Sequence, residues 1–267
     1  MNMKKLLALL LALALCLALA ACSGGSKNTD DSDMAYVKDK GTLIVGMTDF
    51  APMDYKEDGS DEWIGFDADM AKAFAEHLGV DVEFLELGNW DNKAVDLETK
   101  AIDVVWNGMT ISEEVLKLMS VSEAYCNNSQ VVVVPADKAA DYQTVDSLNE
   151  LSFAAENGSV GAEELDALGI SYTATQNQAA ALMEVASGAS DAAVIDLLMA
   201  GAMIGEGTSY PDLTYTVRLS DEEYGVGFRQ GSDLVDEFNS WWKEVYDAGT
   251  VMETATTYGV QESIIAK

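Results

Sequence analysis

The sequence has 267 residues and a formal net charge of −31, because 46 Asp and Glu side chains outnumber 15 Lys and Arg. A chain this acidic repels phosphate backbones, which excludes nucleic acid as a partner. One histidine and three cysteines are too few for a metal cluster, and the chain lacks the Gly-rich loops of nucleotide sites. We therefore predict neither a metal ion nor a cofactor.

Residues 1–21 have the three parts of a secretory leader: two lysines near the start, an apolar stretch and an exit of small residues. The apolar stretch is too short to remain in a bilayer as a spanning helix. Leu19-Ala20-Ala21 precedes Cys22, which resembles the lipobox of bacterial lipoproteins and implies a palmitate-type anchor on Cys22. We expect a lipid-anchored protein on the extracytoplasmic face of the cell membrane. An ordinary leader with a chance cysteine is the alternative.

The segment after Cys22 is predicted to be a flexible tether over residues 22–35. Residues 23–33 are polar, acidic or glycine, so no core can form there, and the folded part should begin near Tyr36. Only Cys126 lies beyond this point. We therefore expect no disulfide scaffold, and we interpret Cys126 as a small buried side chain.

The first half of the folded part alternates strands and helices. The patterns predict strands at 43–47, 80–84 and 102–106, with helices at 67–78 and 92–99 between them. Asp67 is the predicted N-cap of the first helix, and Gly79 is its predicted stop. The last strand should close onto a turn at 107–110. This β-α-β-α-β order implies parallel pairing.

The second half repeats this alternation. Strands are predicted at 131–134, 151–155, 191–195 and 213–217, with a helix at 177–186. A C-terminal helix between residues 232 and 249 carries an apolar stripe that includes Trp241 and Trp242, which we interpret as core. The sequence thus predicts an α/β protein of two lobes.

Four segments point to a family. They are 65–70 (Gly-Phe-Asp-Ala-Asp-Met), 101–103 (Ala-Ile-Asp), 107–114 (Asn-Gly-Met-Thr-Ile-Ser-Glu-Glu) and 224–228 (Tyr-Gly-Val-Gly-Phe). Together they resemble the solute-binding proteins of polar amino acid ABC importers, of the glutamine- and histidine-binding type. The resemblance covers Leu43 to about Gly259.

This resemblance implies a type II periplasmic-binding-protein fold, in which two mainly parallel sheets flanked by helices form lobes joined by two hinge strands. It places a discontinuous first lobe at 36–131 and 226–263 and the second lobe at 132–225, with crossings near 130–134 and 225–228. A small-molecule ligand, an amino acid or a derivative, would be held between the lobes of a monomer and delivered to ABC permease subunits.

In the first lobe, the resemblance implies that Gly108 and Thr110 bind the amino acid moiety through a backbone group and a hydroxyl. Asn107 would add a side-chain amide to the pocket. Phe50 and Trp90 match positions where a ring or an apolar side chain walls the ligand. The alternatives are that 107–110 is only a capped turn and that both rings belong to the core.

In the second lobe, Ser159 and the amide of Val160 match a loop that opens a helix, where free N–H groups receive a carboxylate. Asp196 matches the carboxylate that pairs with the ligand's ammonium group. An acid at the end of a strand is also a common helix cap, which is the alternative for Asp196.

One position departs from the family pattern. The arginine that usually clamps the ligand carboxylate is replaced by Val115, and neither Arg218 nor Arg229 lies in a matching pocket segment. Either the amides at Ser159 hold the carboxylate alone, or the ligand lacks a free α-carboxylate. Asp49, Asp196 and Glu156 would suit a cationic or amine-bearing solute.

Three functions are compatible with this pattern. Binding for import is favoured, because the single His77 removes the usual catalytic triads. The resemblance also includes dehydratases, for which Glu156 or Asp196 would supply an acid or base. A sensory or adhesive surface lipoprotein on the same fold is the third alternative.

Overall fold

A computed structural model of the chain describes residues 32–267. The predicted leader at 1–21, the predicted lipid-bearing Cys22 and the tether up to residue 31 lie outside the described residues. Among residues 32–267, no helix combines the length and the apolar character that crossing a bilayer requires.

Helices and strands alternate along the described chain. The α-helices are α1 Asp33–Lys40, α2 Phe66–Leu78, α3 Lys93–Glu98, α4 Glu113–Leu118, α5 Val160–Leu168, α6 Gln178–Ser187, α7 Leu197–Met203, α8 Leu234–Asp247 and α9 Thr250–Thr257. The strands are β1 Thr42–Met47, β2 Asp81–Glu86, β3 Val104–Thr110, β4 Ser120–Val121, β5 Cys126–Pro135, β6 Phe153–Glu156, β7 Tyr172–Thr175, β8 Ala192–Asp196 and β9 Leu213–Phe228. Short 3₁₀ turns occupy Trp90–Asn92, Ala136–Asp141 and Val145–Leu148.

The strands form a sheet in the order β2-β1-β3-β9-β5-β8-β6-β7, with β4 paired to β9. Strand β1 pairs in parallel with β2 and β3, and β6 pairs in parallel with β7 and β8. The long strands β5 and β9 are antiparallel to each other and run from one parallel half into the other. The predicted architecture, two mainly parallel lobes joined by two strands, is confirmed.

The crossing between the lobes lies earlier on both strands than expected. Residues 130–133 already pair with β8, and residues 225–228 already pair with β3 or β4. Between them, 127–129 on β5 and 221–223 on β9 face each other in the ladder. Beside this two-stranded ribbon the backbone makes single hydrogen bonds, from Asn127 to Ser263 and from Ile111 to Glu223, and the ribbon is narrower than the sheet of either lobe, which suits a hinge.

An aromatic core packs the first lobe. Phe74 of α2 and Trp106 of β3 meet Phe238 of α8, with ring centroids 5.3 and 5.0 Å from that of Phe238. Trp241 and Trp242 are buried beside them, so their interpretation as core is confirmed. Cys126 is also buried and free, as expected.

Helix α2 begins differently from its prediction. Its N-cap is Gly65, and Asp67 lies buried in the first turn. The carboxylate of Asp67 accepts hydrogen bonds from the Gly108 amide at 2.7 Å and from the Tyr125 hydroxyl. The predicted N-cap role of Asp67 is therefore wrong, because its side chain is held by donors that are distant in the chain, one on β3 and one just before β5. The stop at Gly79 is confirmed by a left-handed φ of 76°.

The folded part begins before Tyr36. Ser32 caps α1, and its side chain accepts a hydrogen bond from the Ala35 amide. The buried Asp33 accepts a hydrogen bond at 2.8 Å from Nε of Arg229, which lies 196 residues further along the chain. The predicted tether is therefore too long at its C-terminal end, since a cap and a buried ion pair order residues 33–35.

Candidate functional site

A cleft lies where the two lobes meet, and it encloses a cavity of about 40 Å³. The predicted ligand-binding residues all line it: Phe50, Trp90, Asn107, Gly108, Thr110, Ser159, Val160 and Asp196. Residues separated by more than a hundred positions in the chain thus converge on one small space.

The lobes are closed over this cleft. Nδ2 of Asn157 in the second lobe donates a 2.9 Å hydrogen bond to Oδ1 of Asn89 in the first lobe. Beside this bond, Gly158 approaches the backbone of Asp91 so closely that an added Cβ would stand 2.6 Å from the Asp91 Cβ. A side chain at position 158 would therefore obstruct closure.

In the first lobe, the side chain of Asn107 is hydrogen-bonded to neighbouring protein groups beside the cleft. Its Nδ2 donates to the Thr48 carbonyl at 2.9 Å and to Oδ2 of Asp54 at 2.8 Å. Its Oδ1 accepts from the Thr48 amide and hydroxyl. Both amide hydrogens are thus engaged, and the expectation that Asn107 offers its amide to a ligand gives way to a positioning role.

The predicted turn at 107–110 is the end of β3, distorted by a register shift between Val105 and Met109. Gly108 adopts a φ of 55°, and an added Cβ would stand 2.5 Å from Cε1 of Phe50. The absence of a side chain lets the Phe50 ring lie against the strand. Because the Gly108 amide already donates to Asp67, it is not free for a ligand.

In the second lobe, the start of α5 faces the cleft. Ser159 is the N-cap, and its hydroxyl accepts a 3.2 Å hydrogen bond from the Ala162 amide. Val160 is the first helical residue, where a backbone N–H has no intrahelical acceptor. Such an N-terminus attracts a negative group.

Asp196 lies at the end of β8 and is only 3% exposed. Its carboxylate accepts hydrogen bonds from Nε2 of Gln130 and, at 2.9 Å, from Nε2 of Gln178. Burial raises the pKa of Asp196 to about 6, although hydrogen bonding to Gln178 lowers it. Asp196 occupies the N-cap position of α7 but makes no capping hydrogen bond. Its side chain instead binds Gln130 and Gln178, which also line the cleft.

Glu156, at the end of β6, was expected only to suit a cationic solute or to supply an acid or base, and it lines the cleft and is only 3% exposed. Burial raises its pKa to about 8, and hydrogen bonding to Thr48 and the charge of Lys93 partly oppose the shift. Its Oε1 has no hydrogen-bond partner among the described residues. The available signal was its place at the carboxyl end of a parallel strand, where α/β sheets bind ligands.

Lys93 was not among the residues predicted from the sequence. It lines the cleft at the start of α3 and is 9% exposed. Its ammonium nitrogen lies 4.9 Å from the ring centroid of Trp90 and 3.4 Å from the Trp90 carbonyl oxygen. The spacing of three residues, which places both side chains on one face of a helical turn, was the available signal. Burial lowers the pKa of Lys93, while the charge of Glu156 opposes this.

The cleft is predominantly acidic. Glu156, Glu163 and Asp196 line it together with the single cation Lys93, among the residues that the structure describes. Within residues 32–267, no group of three or more His, Cys, Asp or Glu side chains is arranged to hold a metal ion.

Glu156 should make the empty protein less stable as pH rises. The unfolded carboxyl titrates near 4.5 and the folded one near 8, so between these values the folded state binds the extra proton. Glu156→Gln removes the titrating carboxyl group and, with it, its contribution to the pH dependence of stability. We expect the variant to gain about 2 kcal/mol in unfolding free energy over wild type at pH 8, and little at pH 4.

Urea unfolding of both proteins at the two pH values measures this difference. Glu164→Gln, a charge-matched change on α5 outside the cleft, is the control. Equal gains for Glu156→Gln at pH 4 and pH 8 would contradict the prediction.

Comparison with known proteins agrees with this geometry. The family "Bacterial extracellular solute-binding proteins, family 3" matches residues 43–261. The arginine-binding extracellular protein ArtP of Bacillus subtilis (strain 168) is 29% identical over 257 residues, which cover 92% of this chain and 94% of that protein.

Solved structures share the fold. A mutant of ArgBP from T. maritima matches with a TM-score of 0.78 and 31% identity, over 85% of this chain and 98% of that one. The ancestral amino acid-binding protein AncCDT-1, a precursor of cyclohexadienyl dehydratase, matches with a TM-score of 0.77 and 29% identity, over 85% and 99%. The type II periplasmic-binding-protein fold is thereby confirmed. Because the family match spans most of the sequence, the chain belongs to the bacterial extracellular solute-binding proteins of family 3.

Proposed function

We propose that this protein captures an amino acid, or a closely related small solute, between its lobes and delivers it to the permease of an ABC importer. The observation that carries the proposal is the cleft, which places the buried carboxylate of Asp196 and the ammonium of Lys93 in one enclosed space. Opposite charges at fixed positions suit a zwitterion, whose ammonium and carboxylate groups need partners of both signs.

The charge balance favours a basic amino acid. Three acidic side chains and one ammonium line the cleft among the described residues. Burial favours the protonated form of Glu156, but a solute with an additional positive group would favour its charged form and would pair with it. The unpartnered Oε1 of Glu156 offers an acceptor for that group. ArtP, the relative named as arginine-binding, agrees with this preference.

A thermal-shift screen of the L-amino acids and of polyamines tests the proposal. A ligand that binds only the folded state adds about 3 kcal/mol of stability at a concentration one hundred times its dissociation constant. We expect shifts with amino acids, with the largest among the basic ones. A shift with polyamines alone would overturn the amino acid proposal.

We further propose that residues 1–21 are a leader and that a lipid on Cys22 anchors a monomer at the extracytoplasmic face of the membrane. The lobe limits at 131/132 and 225/226 belong to the same proposal, which the pairing of β5 and β9 supports to within a few residues. A tether keeps the binding lobes near their permease and so raises their local concentration.

Cys22→Ala should release the protein from membranes and leave solute binding unchanged, because Cys22 precedes Ser32, the N-cap of α1, and is distant in the sequence from every residue that lines the cleft. Fractionation of cells and calorimetry of the released protein measure the two properties. Loss of binding in the released protein would contradict the separation of anchor and fold.

A dehydratase is the second candidate, for two reasons. AncCDT-1 is similar in structure, and Glu156 holds a proton at neutral pH because its pKa is raised to about 8 in the cleft. A general acid of this kind is what an elimination reaction needs. Recovery of the bound solute unchanged after long incubation would dismiss this candidate.

A further inference from the structure

The position of the missing arginine is occupied by an apolar side chain. Val115 lines the cleft and is 8% exposed, so no charge reaches the solute from α4 at this point. The described arginines are engaged elsewhere: Arg229 is buried against Asp33, and Arg218 is exposed beside Asp221 at 3.1 Å. A carboxylate in this cleft must therefore be bound by another cation or by the helix-terminal amides at Ser159.

Lys93 is a buried cation without an ionic partner. Its side chain makes no ion pair among the described residues, and its ammonium has only the 3.4 Å hydrogen bond to the Trp90 carbonyl and the face of the Trp90 ring. Four acidic side chains act on it through their charge without forming an ion pair: Glu156, Asp91, Glu163 and Glu114. A buried ammonium with so few partners is unfavourable, and an incoming anion would compensate for this.

The same end of the cleft offers a second anion-binding group. Lys93 and Val115 line the cleft together with Gly158 and Ser159 of the opposite lobe, and all four also line the adjoining cavity of about 270 Å³. Lys93 thus lies where α3 of the first lobe meets the start of α5. A carboxylate at this point contacts an ammonium on one lobe and helix-terminal amides on the other.

We propose that Lys93 binds the carboxylate of the solute in place of the arginine that Val115 replaces, so that the solute carries a free carboxylate. This inference rests on the proposed function. A lysine provides a point charge where an arginine provides a planar fork, so it constrains the carboxylate's orientation less. The contact also links the carboxylate to lobe closure, because its other donors lie on the second lobe.

Calorimetry of Lys93→Met tests this, with L-arginine and L-argininamide as the first pair of probes. The corresponding acid and amide of the amino acid with the largest thermal shift form the second pair. Wild type should prefer the acid to the amide. Lys93→Met should weaken acid binding about 100-fold and amide binding by less than about threefold, which abolishes the preference.

Two variants separate a direct contact from a packing effect. Lys93→Arg should keep the preference for the acid, and Val115→Arg in the Lys93→Met background should restore it. Lys117→Met, on the exposed face of α4, is the control and should bind as wild type does.

Unchanged acid binding in Lys93→Met, or equal losses for acid and amide, would overturn the inference while the proposed function stands. Wild type that binds polyamines but no amino acid would overturn both.

Discussion

Asp196→Asn should weaken amino acid binding by about 100- to 1,000-fold, because it removes the buried charge that we assign to the solute's ammonium group. The replacement keeps the size of the side chain, and an asparagine still accepts a hydrogen bond from Gln130 or Gln178. The loss should therefore appear in affinity and not in folding. Titration calorimetry with the best amino acid of the screen measures it, and circular dichroism confirms the fold.

The same residue predicts a pH dependence. Because burial raises the pKa of Asp196 to about 6, the carboxyl is charged above pH 6 and increasingly neutral below it. Wild-type affinity should thus fall as pH drops from 7 to 5, and the Asp196→Asn variant should lack the part of this dependence that Asp196 contributes.

Asp191→Asn is the matched control, because this acid lies just before β8 and accepts hydrogen bonds from Ser152 outside the cleft. It removes the same charge from the same lobe and should leave affinity within about twofold. Wild-type affinity in Asp196→Asn would exclude Asp196 as the ammonium partner.

Gly158→Ala should lower affinity about 100-fold by blocking closure of the lobes. Its added Cβ would stand 2.6 and 2.7 Å from Cβ and Cα of Asp91, which belong to the facing lobe. The backbone of Asp91 cannot rotate away as a flexible side chain would. The lobes must remain apart, and a solute held by one lobe loses the contacts of the other.

Gly169→Ala isolates this effect from backbone strain. Both glycines have similar φ values, +74° at 158 and +72° at 169, but nothing lies within 4 Å of an added Cβ at Gly169. Both variants should lose about 1 kcal/mol of stability through the left-handed backbone, whereas only Gly158→Ala should lose affinity.

Small-angle scattering with and without solute provides the structural measurement. Wild type and Gly169→Ala should contract on binding, and Gly158→Ala should not. Contraction of Gly158→Ala with full affinity would show that closure tolerates the methyl group.

The sequence predicted those features that follow from local pattern. Apolar periodicity located most of the strands and the helices α2, α3, α6 and α8, but it did not predict α4, α5, α7, α9, β4 or β7. The stop of α2 at Gly79 was predictable because glycine favours the left-handed conformation that ends a helix. The four family-like segments led to residues that do converge on one cleft, because strand ends and helix starts of parallel sheets meet at the same edge.

Features that depend on contacts with residues distant in the chain could not be predicted from the sequence. Asp67 looks like an N-cap in its own segment, and only the Gly108 amide and the Tyr125 hydroxyl show why it is buried. The start of α1 was assigned to the flexible tether because of its polar sequence. An ion pair between Asp33 and Arg229, which lies 196 residues further along the chain, nevertheless orders it. Lys93 was overlooked for the same reason, since its burial depends on a lobe formed by later residues.

The two ends of the described chain lie on the same lobe. Asp33 is held by Arg229, and Lys267 forms a 3.0 Å ion pair with Glu123. The second lobe is therefore an insertion that carries no free end. A force or a fluorescent label applied at Ser32 or at Lys267 therefore acts on the first lobe alone. The second lobe can still move relative to a first lobe that is held in place.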